Sequence, residues 1–218
     1  QQVIPGGIYP KGIQANYCAG NDSVFVFLQS ILEEVMQLFP SKLIHIGGDE
    51  APKNRWKKCD DCQNLIKSEK LKDEHELQSY FITRMEKYIN AKGKKIIGWD
   101  EILEGGLAPN AAVMSWRGTE GGIAAAKSGH DAIMSPTSHC YFDYPVESID
   151  LERVYTFEPE PEDLEGTGRI LGGECNMWSE RAPQELVDSK VFPRIVAMSE
   201  VLWSAKSQRD WKEFQQRM

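Results

Sequence analysis

Apolar residues along this chain recur in two alternating rhythms, short unbroken runs and longer stretches at helical spacing. The alternation predicts strands separated by helices. Residues 1–22, rich in Gly, Pro and Asn, read as a loop. Ser23 is an N-cap candidate for a helix to Phe39 with Phe27, Ile31, Val35 and Leu38 on one face, and Pro40 stops it. The run Leu43 to Ile46 suits a strand covered on both faces. A long connection carrying Trp56 and Cys59-Asp60-Asp61-Cys62 leads to a helix near Asp73 to Ala91. There Leu77, Phe81, Met85 and Tyr88 or Ile89 fall at helical spacing, and Gly93 is the cap. Strands are predicted at Lys95 to Trp99, Ala112 to Trp116, Asp131 to Ser135 and Ile170 to Glu174, with a short Ala-rich helix at Gly121 to Ser128. A long helix is predicted from about Val187 to Trp203, with Pro193 near its first turns or kinking it.

Five βα units in succession imply a parallel sheet, most simply that of a (β/α)₈ TIM barrel, of which the chain holds roughly the last five units. On this reading residues 1–218 belong to one domain, with βα units over 23–205 and a terminal tail or helix at 206–218. A five-stranded doubly wound sheet is the alternative, but it ordinarily carries a Gly-rich phosphate loop, which this sequence lacks.

Composition narrows the class. With 218 residues, 41% hydrophobic and 27% charged, and without a run of 18 apolar residues, the chain reads as soluble and globular, with no membrane span. A net charge of −8 with cations scattered among acids argues against a nucleic-acid partner. The first residues lack the basic and apolar regions of a signal peptide. Five cysteines cannot form a complete disulfide framework. The C-x-x-C would need a further close ligand pair to hold zinc, and Cys18, Cys140 and Cys175 are isolated in sequence, so a local disulfide or free thiols are expected and no metal.

The candidate chemistry begins at Gly47-Gly48-Asp49-Glu50, where a strand ends in two glycines and adjacent carboxylates. The glycines let the backbone turn and approach a ligand closely. Two neighbouring acids are expected to differ in proton affinity, one staying charged while the other becomes a general acid. The alternative is an acidic pair opening the helix after a βα turn, where the helix dipole favours it. Similar clusters follow nearly every predicted strand: Trp99-Asp100-Glu101, Ser115-Trp116-Arg117, Tyr141-Phe142-Asp143-Tyr144, and Glu174 through Trp178-Ser179-Glu180. In barrel enzymes this rim is the active face. Carboxylates accept hydrogen bonds from sugar hydroxyls, and indole faces cover the apolar face of a pyranose, so the pattern points to carbohydrate.

His45-Ile46-Gly47-Gly48-Asp49-Glu50, the Trp99 and Trp116 strand ends, Tyr141-Phe142-Asp143, and Gly172-Gly173-Glu174 through Trp178-Ser179-Glu180 together resemble glycoside hydrolase family 20, the β-N-acetylhexosaminidases. Order and spacing agree from about Tyr17 to Trp203. The resemblance implies a retaining exo-hydrolase acting on terminal β-linked N-acetylglucosamine or N-acetylgalactosamine, in glycans or chitooligosaccharides. It implies substrate assistance rather than two protein carboxylates, and no cofactor. Carried over, Glu50 is the general acid and base, Asp49 holds the acetamido N–H, and Tyr141 donates to the acetamido oxygen. Trp99, Trp116 and Trp178 wall a dry aromatic pocket, and Asp143 and Glu180 bind outer hydroxyls. A secreted, periplasmic or lysosomal setting is implied. The family's sugar-clamping Arg and the His near its acid find no matching position in this sequence, so the activity is expected of the parent enzyme and impaired in the isolated fragment, and His45 reads as a structural hydrogen-bonding residue.

Two other readings use the same residues. A barrel glycosidase could pair Glu50 as acid with Glu174 or Glu180 as nucleophile, and a non-catalytic fragment could keep only sugar binding. The strand edges at Leu43 to Ile46 and Ile170 to Glu174 are expected to invite self-association.

Overall fold

The computed structural model describes residues 16–162, 164 and 166–218, so most of the loop expected at residues 1–22 lies outside the described residues. Its elements are α1 (Asp22–Leu38), β1 (Leu43–His45), α2 (Asp60–Ser68), α3 (Glu74–Ala91), β2 (Lys95–Trp99), β3 (Ala112–Ser115), α4 (Glu120–Lys127), β4 (Ala132–Met134), α5 (Leu151–Tyr155), β5 (Ile170–Gly173), α6 (Val187–Val191), α7 (Arg194–Trp203) and α8 (Trp211–Arg217). The strand order is β1-β2-β3-β4-β5, and the pairs β1–β2, β2–β3 and β4–β5 are parallel, with α-helical crossovers after β1 and β4 and only a 3-10 turn, Asp100–Leu103, in the connection after β2. The chain divides into two compact units, residues 12–114 and 115–218.

In the first unit Leu43, Ile44 and His45 face Lys95, Ile96 and Ile97. The ladder continues past β1, because the Ile46 amide donates to the Ile97 carbonyl at 2.9 Å and the Trp99 amide to the Gly47 carbonyl at 2.9 Å. Helix α3 starts where Asp73 accepts the amides of His75 and Glu76, and Glu76 accepts the Lys72 amide in return. Its end is turned by Gly93 at φ 75°. Leu77, Ile82, Met85 and Ile89 of α3 are buried, as are Ile96 and Ile97 of β2, which α3 packs against. A second apolar group joins Ala19, Trp56, Cys62 and Leu77.

In the second unit Ala132, Ile133 and Met134 pair with Ile170, Gly172 and Gly173, with a bulge after Ala132. The core gathers Met134, Phe142, Ile149, Val154, Phe157, Met198, Val201 and Phe214. Arg194 lies fully buried within it, 4.6 Å over the Phe142 ring, and its guanidinium donates to the carbonyls of Ile149 and Lys190 at 2.9 Å. Those carbonyl partners allow a buried charge, though burial still lowers its proton affinity.

Three expectations need correction. The stripe Phe27, Ile31 and Leu38 on α1 is exposed, because α1 meets α3 through Phe25, whose ring lies 4.6 Å from Phe81. The helical period was right and the buried face was not. The strand expected to be covered on both faces alternates instead, with Ile44 buried and His45 exposed. The long C-terminal helix is two, since Pro193, lacking an N–H, stands between α6 and α7. Cys18, isolated in sequence as expected, is brought in space to Cys59 and Cys62 by the segment before α1. The connection expected as a loop after β1 also holds α2, which begins within the C-x-x-C, while the uncertain C-terminal segment forms α8.

Candidate active site

The first cluster is built on the end of β1. Gly47 and Gly48 take φ 72° and 101°, and Glu50 takes φ 43°, a left-handed turn that ordinary residues adopt at a strain of about 1 kcal/mol or more. No helix starts at the pair, so the helix-dipole alternative is not what holds it. The turn is packed from below: a Cβ on Gly48 would lie 2.5 Å from Ile102 Cγ2, and one on Gly98 would lie 2.8 Å from the Gly47 carbonyl oxygen. Two side chains that sequence reasoning missed latch it. Gln78, buried on α3, donates through Nε2 to the Gly48 carbonyl at 2.8 Å, and its Oε1 accepts from Lys53 Nζ. Lys53 also donates to the Ala51 carbonyl at 2.9 Å and sits 5.4 Å over the Trp56 ring. Burial lowers the proton affinity of this lysine, while Glu104 and Glu101 oppose the shift. A polar Gln beside Leu77 on the buried face of a helix was the available signal.

Asp49 and Glu50 are exposed. Trp99, at the end of β2, is buried, and its ring meets His45 edge-on at 4.8 Å. His45 Nδ1 accepts the Gly47 amide at 3.1 Å, the structural role expected of it. A cavity of about 380 Å³ opens beside the turn, lined by Tyr17, Gly47, Asp49, Trp56, Gln78 and Phe81 among others.

The second cluster lies in the other unit, beyond β4 and β5. Tyr141 bridges to Asn176 in parallel register, and Asn176 Nδ2 donates to Ser135 Oγ at 2.7 Å, whose hydroxyl donates to the Glu174 carbonyl at 3.0 Å. This buried polar chain fixes the two strand ends. The buried Tyr141 ring stacks 6.3 Å from the half-buried Trp116 and meets Tyr144 edge-on at 5.5 Å. Asp143 is 2% exposed, with the backbone amides of Trp178 and of Asp143 itself beside its carboxylate. Its Oδ1 is buried with no partner among the described residues. Burial raises the Asp143 proton affinity, only partly offset by those amides and by Arg181 and Lys190. Lys190 Nζ holds the loop by donating to the Asp143 carbonyl at 2.6 Å. Trp178, 42% exposed, and Glu180, exposed, lie on the segment after β5. Lys190 and Arg194 were not singled out in the sequence, since surface-type cations in a helical segment carry no local mark of burial.

Residues 9–206 match glycosyl hydrolase family 20, catalytic domain. The chain belongs to this family. A β-hexosaminidase of Porphyromonas gingivalis is 47% identical over 217 residues, covering 93% of this chain and 28% of the relative. A β-N-acetylhexosaminidase structure from Bacteroides fragilis superposes with a TM-score of 0.82 at 33% identity, covering 96% of this chain and 46% of that one. An exo-β-N-acetylglucosaminidase of Vibrio harveyi, solved with N-acetylglucosamine, gives a TM-score of 0.81 at 29% identity over 92% of this chain and 34% of that one. The family 20 chain thus spans less than half the length of these relatives. Its successive parallel βα units are those of a (β/α)₈ barrel, as the resemblance implied. Among the described residues no helix is long and apolar enough to cross a membrane.

Proposed function

We propose that this family 20 chain carries the acid–base and acetamide-binding residues of a retaining hydrolase that removes terminal β-linked N-acetylhexosamine from glycans or chitooligosaccharides. The observation that carries the reading is the left-handed turn ending β1, which offers two adjacent carboxylates to solvent on a backbone latched from behind. Glu50 gives its proton to the glycosidic oxygen as the bond to the anomeric carbon breaks. The substrate's acetamido oxygen forms the new bond to that carbon from the opposite face, giving an oxazolinium ion. Asp49, ionised, accepts the acetamido N–H and stabilises the positive charge that develops. Tyr141 donates to the acetamido oxygen and aligns it. Water then attacks the anomeric carbon, Glu50 takes its proton, and the two inversions leave the configuration retained. Trp99, Trp116 and Trp178 contact the sugar and its acetamido methyl, while Asp143 and Glu180 accept hydrogen bonds from outer hydroxyls. The buried, unpartnered Oδ1 of Asp143 supports that role, since a sugar O–H supplies the donor it lacks.

Aryl β-glycosides with and without a 2-acetamido group test the reading. In the full-length protein turnover confined to the acetamido substrates is expected, while the chain by itself, in which the family's sugar-clamping Arg finds no match, is expected to turn over little or nothing. Equal turnover of plain β-glucosides would instead favour two protein carboxylates, with Glu174 or Glu180 as nucleophile. The same proposal extends to assembly: β1 and β5 end the strand order, and their outer ladder groups pair with further strands, which light scattering would read as association.

A further inference from the structure

Three sulfurs that the proposed reaction does not use meet within the first unit. Cys18 Sγ lies 3.5 Å from Cys59 Sγ and 3.7 Å from Cys62 Sγ, and all three sulfurs fall within 4.8 Å of one another. A disulfide would bring one pair to about 2.05 Å. In a tetrahedral site with Zn–S bonds of about 2.3 Å, the edge between two sulfurs is about 3.8 Å. The two separations involving Cys18 therefore match two edges of a zinc tetrahedron and are far from a covalent bond.

The scaffold around the sulfurs is built rather than accidental. Cys59 caps α2 and Cys62 lies in its first turn, so the C-x-x-C spacing turns both sulfurs to one side. The third ligand arrives on a segment pinned at both flanks. Trp56 Nε1 donates to the Tyr17 carbonyl at 2.8 Å, and Gly20 lies so close to α2 that an added Cβ would sit 2.3 Å from the Asp61 carbonyl carbon. Cys62 is fully buried while Cys18 and Cys59 are half-buried, leaving one open side for a cation to enter.

We propose that Cys18, Cys59 and Cys62 form a zinc site, with a water molecule completing the tetrahedron. Thiolate softness and tetrahedral spacing select zinc over magnesium or calcium, which take oxygen ligands. The ion ties the segment before α1 to the connection after β1, and that connection begins at Asp49 and Glu50. Its function is to brace the turn from a distance. No step of the sugar chemistry passes through it.

The test measures metal in the purified protein by elemental mass spectrometry, together with alkylation of each cysteine before and after a chelator. About one zinc ion per chain is expected, with Cys18, Cys59 and Cys62 protected until the chelator is added. Cobalt exchanged for zinc should show the intense tetrahedral ligand-field and sulfur-to-metal charge-transfer bands of a thiolate site. Cys62→Ser should lose the metal and Cys175→Ser should keep it. The alkylation pattern of the unaltered protein decides the matter even if Cys62→Ser fails to fold. Protein free of zinc after growth in zinc-supplemented medium, whether its three thiols react alike without chelator or Cys18 is joined by a disulfide to Cys59 or Cys62, would overturn the assignment.

Discussion

Replacing Asp143 by Asn sets stability against function at one atom. The carboxylate is 2% exposed and its Oδ1 has no partner among the described residues. An unsatisfied buried acceptor is worth about 1–3 kcal/mol against folding, and an ionised one lies at the upper end. Asn keeps the shape and one oxygen for the Trp178 amide, and it exchanges the buried charge for a neutral amide with an imperfect partner of its own. Part of the penalty remains, so a net gain of about 1 kcal/mol is expected, or about 2–4 °C in Tm for a chain of this size. The gain should depend on pH with a definite sign. Burial raises the folded-state pKa of Asp143 above its unfolded value of about 3.9, so the native protein is favoured while the group stays protonated and loses that stability as pH rises through the folded value. The advantage of Asp143→Asn should therefore be smallest below the unfolded value and grow as pH rises through the folded one. Urea denaturation across this range reads it directly. Turnover should move oppositely, kcat/KM falling about 10- to 100-fold as a hydrogen bond from a sugar hydroxyl to a charged acceptor is lost. A variant less stable than the native protein at pH 7, or a gain independent of pH, would refute the account of Asp143 as an uncompensated buried charge.

The remaining expectations concern the turn after β1. Glu50→Gln should slow release of poor leaving groups by about 10²-fold more than release of activated aryl groups, and equal slowing would remove Glu50 from the acid's role. Asp49→Asn should lower kcat by about 10²-fold on acetamido substrates, which steady-state kinetics would read, while an unchanged kcat would separate Asp49 from the developing charge. Gly48→Ala places a methyl 2.5 Å from Ile102 Cγ2 at φ 101°, so a loss of about 1–3 kcal/mol is expected in thermal unfolding. Ile102→Ala, which removes that Cγ2, should recover only the steric part of it when the double variant is compared with Ile102→Ala alone, and full recovery would show that backbone strain contributes nothing.

Strands were legible where composition decided the matter. Lys95 to Trp99 came out at its observed bounds, because an apolar run between Gly93 and an acidic cluster has few other uses. Helix α3 was likewise marked at its start by Asp73 and at its end by Gly93. The stripe on α1 misled because period 3.6 shows that a helix is amphipathic but not which apolar residues a neighbour covers, and Phe25 took the contact with Phe81. Helix α2 hid in charged residues whose helicity rests on Cys62 and Leu65 packing toward Trp56. In the second cluster Tyr141 and Asp143 stood out as types, yet the Ser135–Asn176 chain and the buried Arg194 beneath them join residues about 40 to 50 positions apart. Cys18 illustrates the same limit, since no local pattern announces that a cysteine preceding a helix will meet a C-x-x-C about 40 residues on.

The backbone of Glu50 has a practical consequence for anyone engineering this chain. A residue at φ 43° is one that a stability screen would exchange for Gly or Asn, both of which tolerate that conformation more readily. Thermostabilising libraries sorted by melting temperature alone will therefore enrich substitutions at position 50 and discard the carboxylate with them. Selection on this scaffold has to hold that position fixed, or be scored on turnover from the first round.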